Sequence, residues 1–134
     1  MTDISEVVKG DAPFEFALVH PVTKEELDVK ITVVGMDSEV YRKTSHHQRS
    51  RRLKSIRPNG KSSGINMEEL EADGIELLAA CTTGWKNMSY RGSELPFSKE
   101  NAVMVYKEQA WVREQVDEAI GDRANFSGES SKGS

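Results

Sequence analysis

An α+β fold is predicted for this chain: an N-terminal β-hairpin packed on a mostly α-helical body of three to four helices. Three observations carry that expectation. Two segments near the N-terminus alternate apolar and polar side chains with period two. The remainder carries helix-start signals followed by apolar residues at helical spacing. A length of 134 residues suits one domain with one modest core.

The first strand is read from "FEFALV", where Phe14, Phe16 and Leu18 alternate with Glu15, Ala17 and Val19. The second is "LDVKITVV", where Leu27, Val29, Ile31 and Val33 alternate with Asp28, Lys30 and Thr32. Between them "HPVTKEE" supplies Pro21 and polar residues for a reversal, which makes an antiparallel hairpin with one apolar face. A hairpin alone is marginal in water, so that face has to be covered.

Gly35 ends the second strand, and Asp37 is placed to cap a helix over Ser38 to Ile56, with Met36 and Tyr41 as a hydrophobic staple. Val40, Tyr41, Leu53 and Ile56 form no continuous stripe, so most of this helix must face water or a charged partner. Pro58, Asn59 and Gly60 break it. Asn66 and Glu69 have capping-box spacing, flanked by Ile65 and Leu70, so a helix starts at Met67. Leu70, Leu77, Leu78 and Cys81 share one of its faces, Gly74 on that face would admit another backbone, and Gly84 is placed as the residue that stops it.

Trp85 to Pro96 is read as a loop with a turn at "YRGSE". Ser98 is then an N-cap with Glu100 in the first turn. Ala102, Tyr106, Val112, Val116, Ala119 and Ile120 recur at helical spacing, as one long helix or as two joined near Gln109–Ala110. The expected layout is a flexible N-terminus over 1–12, a single domain over 13–126 and a disordered polar tail over 127–134. Within the domain, the hairpin occupies 13–35 and the helical body 37–126.

Composition restricts function. There is no run of about 18 apolar residues and no basic-then-apolar leader, so neither a membrane span nor a secretory signal is expected, and the chain reads as cytoplasmic. A lone Cys81 in "ELLAACTTG" is expected to be a buried core thiol. The adjacent His46 and His47 point about 100° apart on a helix and cannot chelate one ion as an i,i+4 pair does. No Gly-rich phosphate loop, nucleophile elbow or His-Glu-x-x-His occurs, which argues against an enzyme, a cofactor and a metal site.

Charge is unevenly distributed. "RKTSHHQRSRRLKSIR" holds Arg42, Lys43, Arg49, Arg51, Arg52, Lys54 and Arg57 with no acid, leaving 11 basic against 22 acidic side chains elsewhere. A +7 segment on a −11 remainder suits contact with another copy of the chain, or phosphate neutralisation in a small nucleic-acid-binding regulator. The block has no aromatic residue to stack on bases and no helix-turn-helix pattern, so nucleic acid is the alternative, and a solvated face or an oligomer contact against the acidic remainder is the expectation. Trp85, Tyr106, Trp111, Val112, Val116, Ile120 and Phe126 are the candidates for an apolar client-binding face, but the plainer reading, a core helix pair that covers the hairpin, is the one expected for most of the large side chains.

The order "TTGW", "LPFSKENA", Tyr106 and "WVREQVDEAIGDRANF" resembles the tail assembly chaperones of long-tailed bacteriophages, over about Leu77 to Phe126. The hairpin "FEFALVHPVTKEELDVKITVVG" is in keeping with that family. The resemblance implies a non-catalytic protein of the host cell cytoplasm that coats and solubilises the tape measure protein, brings tail tube subunits to it, and is absent from the mature virion. It also implies that a programmed frameshift can append a second domain. A minor structural virion protein is a further alternative.

Overall fold

The computed structural model describes residues 1–54 and 67–127. The two alternating segments form β1 (Phe14–Val19) and β2 (Glu26–Val33), paired antiparallel with Phe14 opposite Val33 and Phe16 opposite Ile31. Period-two geometry puts these residues and Leu18 on one face, and Leu18, Ile31 and Val33 are fully buried there. The reversal is built by His20 as well as Pro21. The His20 Nδ1 accepts hydrogen bonds from the amides of Val22 and Thr23, each at 3.1 Å, while Lys24 takes a left-handed conformation at φ 67°.

The helical body follows as α1 (Glu39–Lys54), α2 (Met67–Cys81), α3 (Lys99–Glu108) and α4 (Ala110–Gly121), so the α+β class and the four-helix body are present. Met67 opens its helix as expected. The Asn66 cap, the Ile65 side of the staple, the breaker at 58–60 and the end of α1 beyond Lys54 lie outside the described residues. Ser98 caps α3 by accepting from the Asn101 amide at 3.0 Å. The last two helices are separate, because Gln109 leaves helical geometry at φ −119°, ψ 87°. Its amide still reaches the Val105 carbonyl at 2.8 Å, and its own carbonyl accepts from Val112 and Arg113 at 3.0 and 3.2 Å, so the break leaves these groups paired.

Several expectations are corrected. The cap of α1 is Ser38, not Asp37: the buried Ser38 hydroxyl donates to the Gly35 carbonyl at 2.6 Å and accepts from the Tyr41 amide at 3.2 Å. Asp37 instead grips Arg123, at 2.6 and 3.0 Å. Gly84 does not stop α2. The helix ends at Cys81 and the chain enters β3 (Thr82–Lys86), which pairs antiparallel with β2 and completes a sheet of order β1-β2-β3. Thr82 makes the abrupt exit possible, since its hydroxyl bonds the Leu78 carbonyl at 2.8 Å and no left-handed glycine is needed. Gly74 is exposed, with nothing within 4 Å of where a Cβ would stand, so among the described residues no other backbone packs on it.

The segment expected as a loop, Trp85 to Pro96, begins with the last two residues of β3 and then holds a second small hairpin, β4 (Ser89–Tyr90) and β5 (Ser93–Glu94). Its two-residue turn has positive φ at Arg91 and Gly92, 55° and 86°, the primed turn that matches strand twist. The N-terminal segment is also tied down. Lys9 donates its amide to the Phe126 carbonyl at 2.7 Å, Gly10 accepts from Gly35 at 2.8 Å, and Asp11 accepts from the Glu39 amide at 2.9 Å. Gly10 is required there, because a Cβ would stand 2.5 Å from the Asp37 backbone. Ser127 forms an isolated bridge with Val8, and the rest of the expected tail, 128–134, lies outside the described residues.

Candidate functional site

Position in the fold divides the candidate apolar face. Tyr106 comes from α3, Val112, Val116 and Ile120 from α4, and Phe126 from the 3-10 turn Arg123–Phe126 that follows. All five are buried against the sheet and α2, none more than 3 % exposed. They are core residues and present no open face. Tyr106 is fully enclosed, its hydroxyl 2.7 Å from that of Thr82. Burial pushes its pKa up to about 12, against the opposing effect of the Thr82 hydrogen bond.

Trp85 and Trp111 are the two candidates that reach the surface, both half-buried. Trp85 leaves β3, donates its indole N–H to the Leu95 carbonyl at 2.9 Å and meets Phe97 edge to face at 5.1 Å. Trp111 stands at the first turn of α4 and donates to the Gln109 side chain at 3.3 Å. Each is oriented by a hydrogen bond and leaves part of its ring accessible, the arrangement of amphipathic aromatic residues at interfaces. Exposed apolar side chains also occur where α1 ends and α2 begins: Leu53, Met67 and Leu70 are 64 %, 74 % and 38 % exposed. A shallow groove of about 280 Å³ runs between α1, α2 and α4, with Tyr41, Gly74 and Leu78 in its wall and Glu71, Glu114 and Asp117 beside them.

The basic helix is partly engaged within the chain. Arg51 pairs with Asp73 at 2.9 Å and with Glu76 at 3.5 Å, and Arg52 lies 3.7 Å from Asp73. Lys43 pairs with Glu39 one turn earlier at 3.1 Å, and Arg42 reaches the Asp37 carbonyl at 3.3 Å. Arg49, Lys54, His46 and His47 are exposed, and Arg57 lies outside the described residues. Between the cations sits a residue that the charge pattern does not point out. Gln48 is buried and donates to the Asp73 carbonyl at 2.8 Å and to the Glu76 carboxylate at 2.9 Å, tying α1 to α2. Exposed ion pairs contribute at most about 1 kcal/mol each, so the Gln48 bonds weigh as much as the charges around them.

Two of these acids sense pH. Hydrogen bonding from Gln48, with help from Arg51, holds the Glu76 carboxyl below its ordinary range, and the Arg123 guanidinium does the same for Asp37. Depressed folded-state values stabilise the protein above the unfolded pKa, and that contribution is lost as pH falls through the folded value. Stability is therefore expected to decline as pH is lowered below about 5. Arg123→Gln should weaken the protein at pH 7 and flatten part of that acid limb, as read from urea midpoints at pH 7 and pH 3.

Cys81 is buried, and burial raises its thiol to about pKa 11, so it is an un-ionised core thiol at neutral pH. Among the described residues no group of three His, Cys, Asp or Glu side chains could hold a metal ion, and no helix is long and apolar enough to cross a membrane. No family model, curated protein or solved structure matches the chain.

Proposed function

We propose that this protein is a tail assembly chaperone of a long-tailed bacteriophage, acting in the host cell cytoplasm. In this reading it binds and solubilises the tape measure protein, recruits tail tube subunits and leaves before the virion is complete. The observation that carries the proposal is the ordered series from Leu77 to Phe126, "TTGW", "LPFSKENA", Tyr106 and "WVREQVDEAIGDRANF". Its members are joined physically as well as in sequence. The Thr82 of the first contacts the Tyr106 hydroxyl, the Trp85 ring packs on Phe97 of the second, and Phe126 closes the core over the hairpin.

With Tyr106, Val112, Val116, Ile120 and Phe126 in the core, a client would meet Trp85, Trp111 and the exposed apolar side chains of α1 and α2. Self-association through exposed cations of α1 against acidic surface elsewhere is part of the same proposal, and Arg49 and Lys54 are its accessible contributors. The pairing of Arg51 and Arg52 with α2 weighs against the nucleic-acid alternative, because those cations already have carboxylate partners. Co-expression with the tape measure protein of the same phage is the test. A clear rise in soluble tape measure protein is expected, and an unchanged soluble fraction would sink the proposal.

A further inference from the structure

We propose that the free edge of β1 is a docking site for an extended, net-basic peptide segment with apolar side chains at alternate positions, which adds as a fourth strand between β1 and α4. The inference stands apart from the tape measure reading and concerns a different part of the surface.

β1 is an edge strand, and the polarity of its backbone is fixed at both ends. The His20 amide points inward to the Glu25 carbonyl, and the Gly35 amide points from the end of β2 to the Gly10 carbonyl beside β1. Even-numbered residues of β1 therefore bond β2, while Glu15, Ala17 and Val19 turn their N–H and C=O groups to the open side. At Val19 that side is occupied by a strand mimic. The Gln115 side chain of α4 accepts from the Val19 amide at 2.9 Å and donates to the Val19 carbonyl at 2.7 Å. Nothing comparable reaches Glu15 and Ala17 among the described residues, so two backbone donors and two acceptors face outward in a short window.

The window opens on a groove of about 420 Å³ between β1 and α4. Half-buried Phe14 and Phe16, stacked at 6.4 Å, give it an apolar wall on the strand side, and Ala119 faces them from the helix. A strand edge beside a helix, with apolar pockets for alternate side chains, is the geometry by which extended peptides augment a sheet. Charge selects the occupant. Glu118 and Asp122 line the groove against the single cation Lys24 among its described lining, while Glu15, on the outer face, is already paired with Lys86 at 3.3 Å and adds nothing to this balance. A second copy pairing β1 to β1 would bring these acids near their own counterparts, whereas a basic segment meets complementary charge.

The test uses the full-length ¹⁵N-labelled protein and a capped hexapeptide alternating valine and lysine. Saturable binding is expected, with amide exchange at Glu15 and Ala17 slowed by about ten-fold or more at saturation. The alternating valine–glutamate peptide, and a valine–lysine peptide N-methylated on the residues that face the edge, should each bind about ten-fold more weakly. Glu118→Lys, an exposed change, should weaken the lysine peptide as well. Unchanged exchange at Glu15 and Ala17, or equal binding of the N-methylated peptide, would overturn the proposal. So would protection of those amides that grows with protein concentration in the absence of peptide, since the edge would then belong to a second copy. None of these outcomes bears on tape measure solubility, so the two readings fail separately.

Discussion

Phe126→Ala is expected to lower the free energy of unfolding by about 3–5 kcal/mol, measured by urea denaturation at pH 7. The ring is 3 % exposed and meets Phe14 edge to face at 5.8 Å. It also lies on the bare Cα of Gly35, where an added Cβ would stand only 2.7 Å away. Truncation opens a cavity bounded by β1 and the end of β2, and the rigid strand backbone cannot close over it. The Phe126 carbonyl receives the Lys9 amide, so movement of this turn also loosens the N-terminal tie. Gly35→Ala should destabilise through the same contact from the opposite side, by forcing the ring out of its niche.

Tyr106→Ala is expected to cost a similar amount, about 3–5 kcal/mol, whereas Tyr106→Phe should cost about 1 kcal/mol. The difference follows from what each change leaves behind. Alanine removes a completely buried ring at the junction of α3, α2 and β3. Phenylalanine keeps the ring and removes only the hydroxyl at 2.7 Å from Thr82, which still has the Leu78 carbonyl as a partner. By contrast Trp111→Ala, at a half-buried site, should affect client binding more than stability. Parallel urea curves and tape measure solubility assays for the two alanine variants would separate core residues from contact residues.

The fold was legible where local chemistry decides it. Phe14 to Leu18 and Leu27 to Val33 carry the period of a half-buried strand, and Ser98 caps α3 because a serine before a helical run has few better uses. It was hidden where long-range partners decide. Asp37 and Ser38 are both good caps, and only Arg123, 86 residues away, takes Asp37 out of the choice. Thr82–Lys86 is too short and glycine-containing to announce a strand, and it becomes one by pairing with β2. The role of Gly10 has no local signature, because the backbone it must fit against, Asp37–Ser38, is distant in sequence.

The candidate site was less legible than the fold. Helical spacing identifies Tyr106, Val112, Val116 and Ile120 as one apolar face, and the same spacing serves a core and a client groove equally well. Burial assigns them to the core and leaves the tryptophans at its margin. Likewise the charge block predicts a cationic helix, while the division of its charges between Asp73, Glu76 and solvent depends on how α1 crosses α2. Gln48 and Gln115, which bind backbone groups of neighbouring elements, carry no pattern at all in the sequence.

The central claim, that the protein coats an elongated client, is tested most directly by counting copies in the purified complex. Light scattering after size-exclusion chromatography gives the number of chains bound to a full-length tape measure protein and to one shortened by half. A coat predicts many copies and about half as many on the shortened client. A complex whose copy number ignores client length, or a chain that elutes free of the client, would contradict the account.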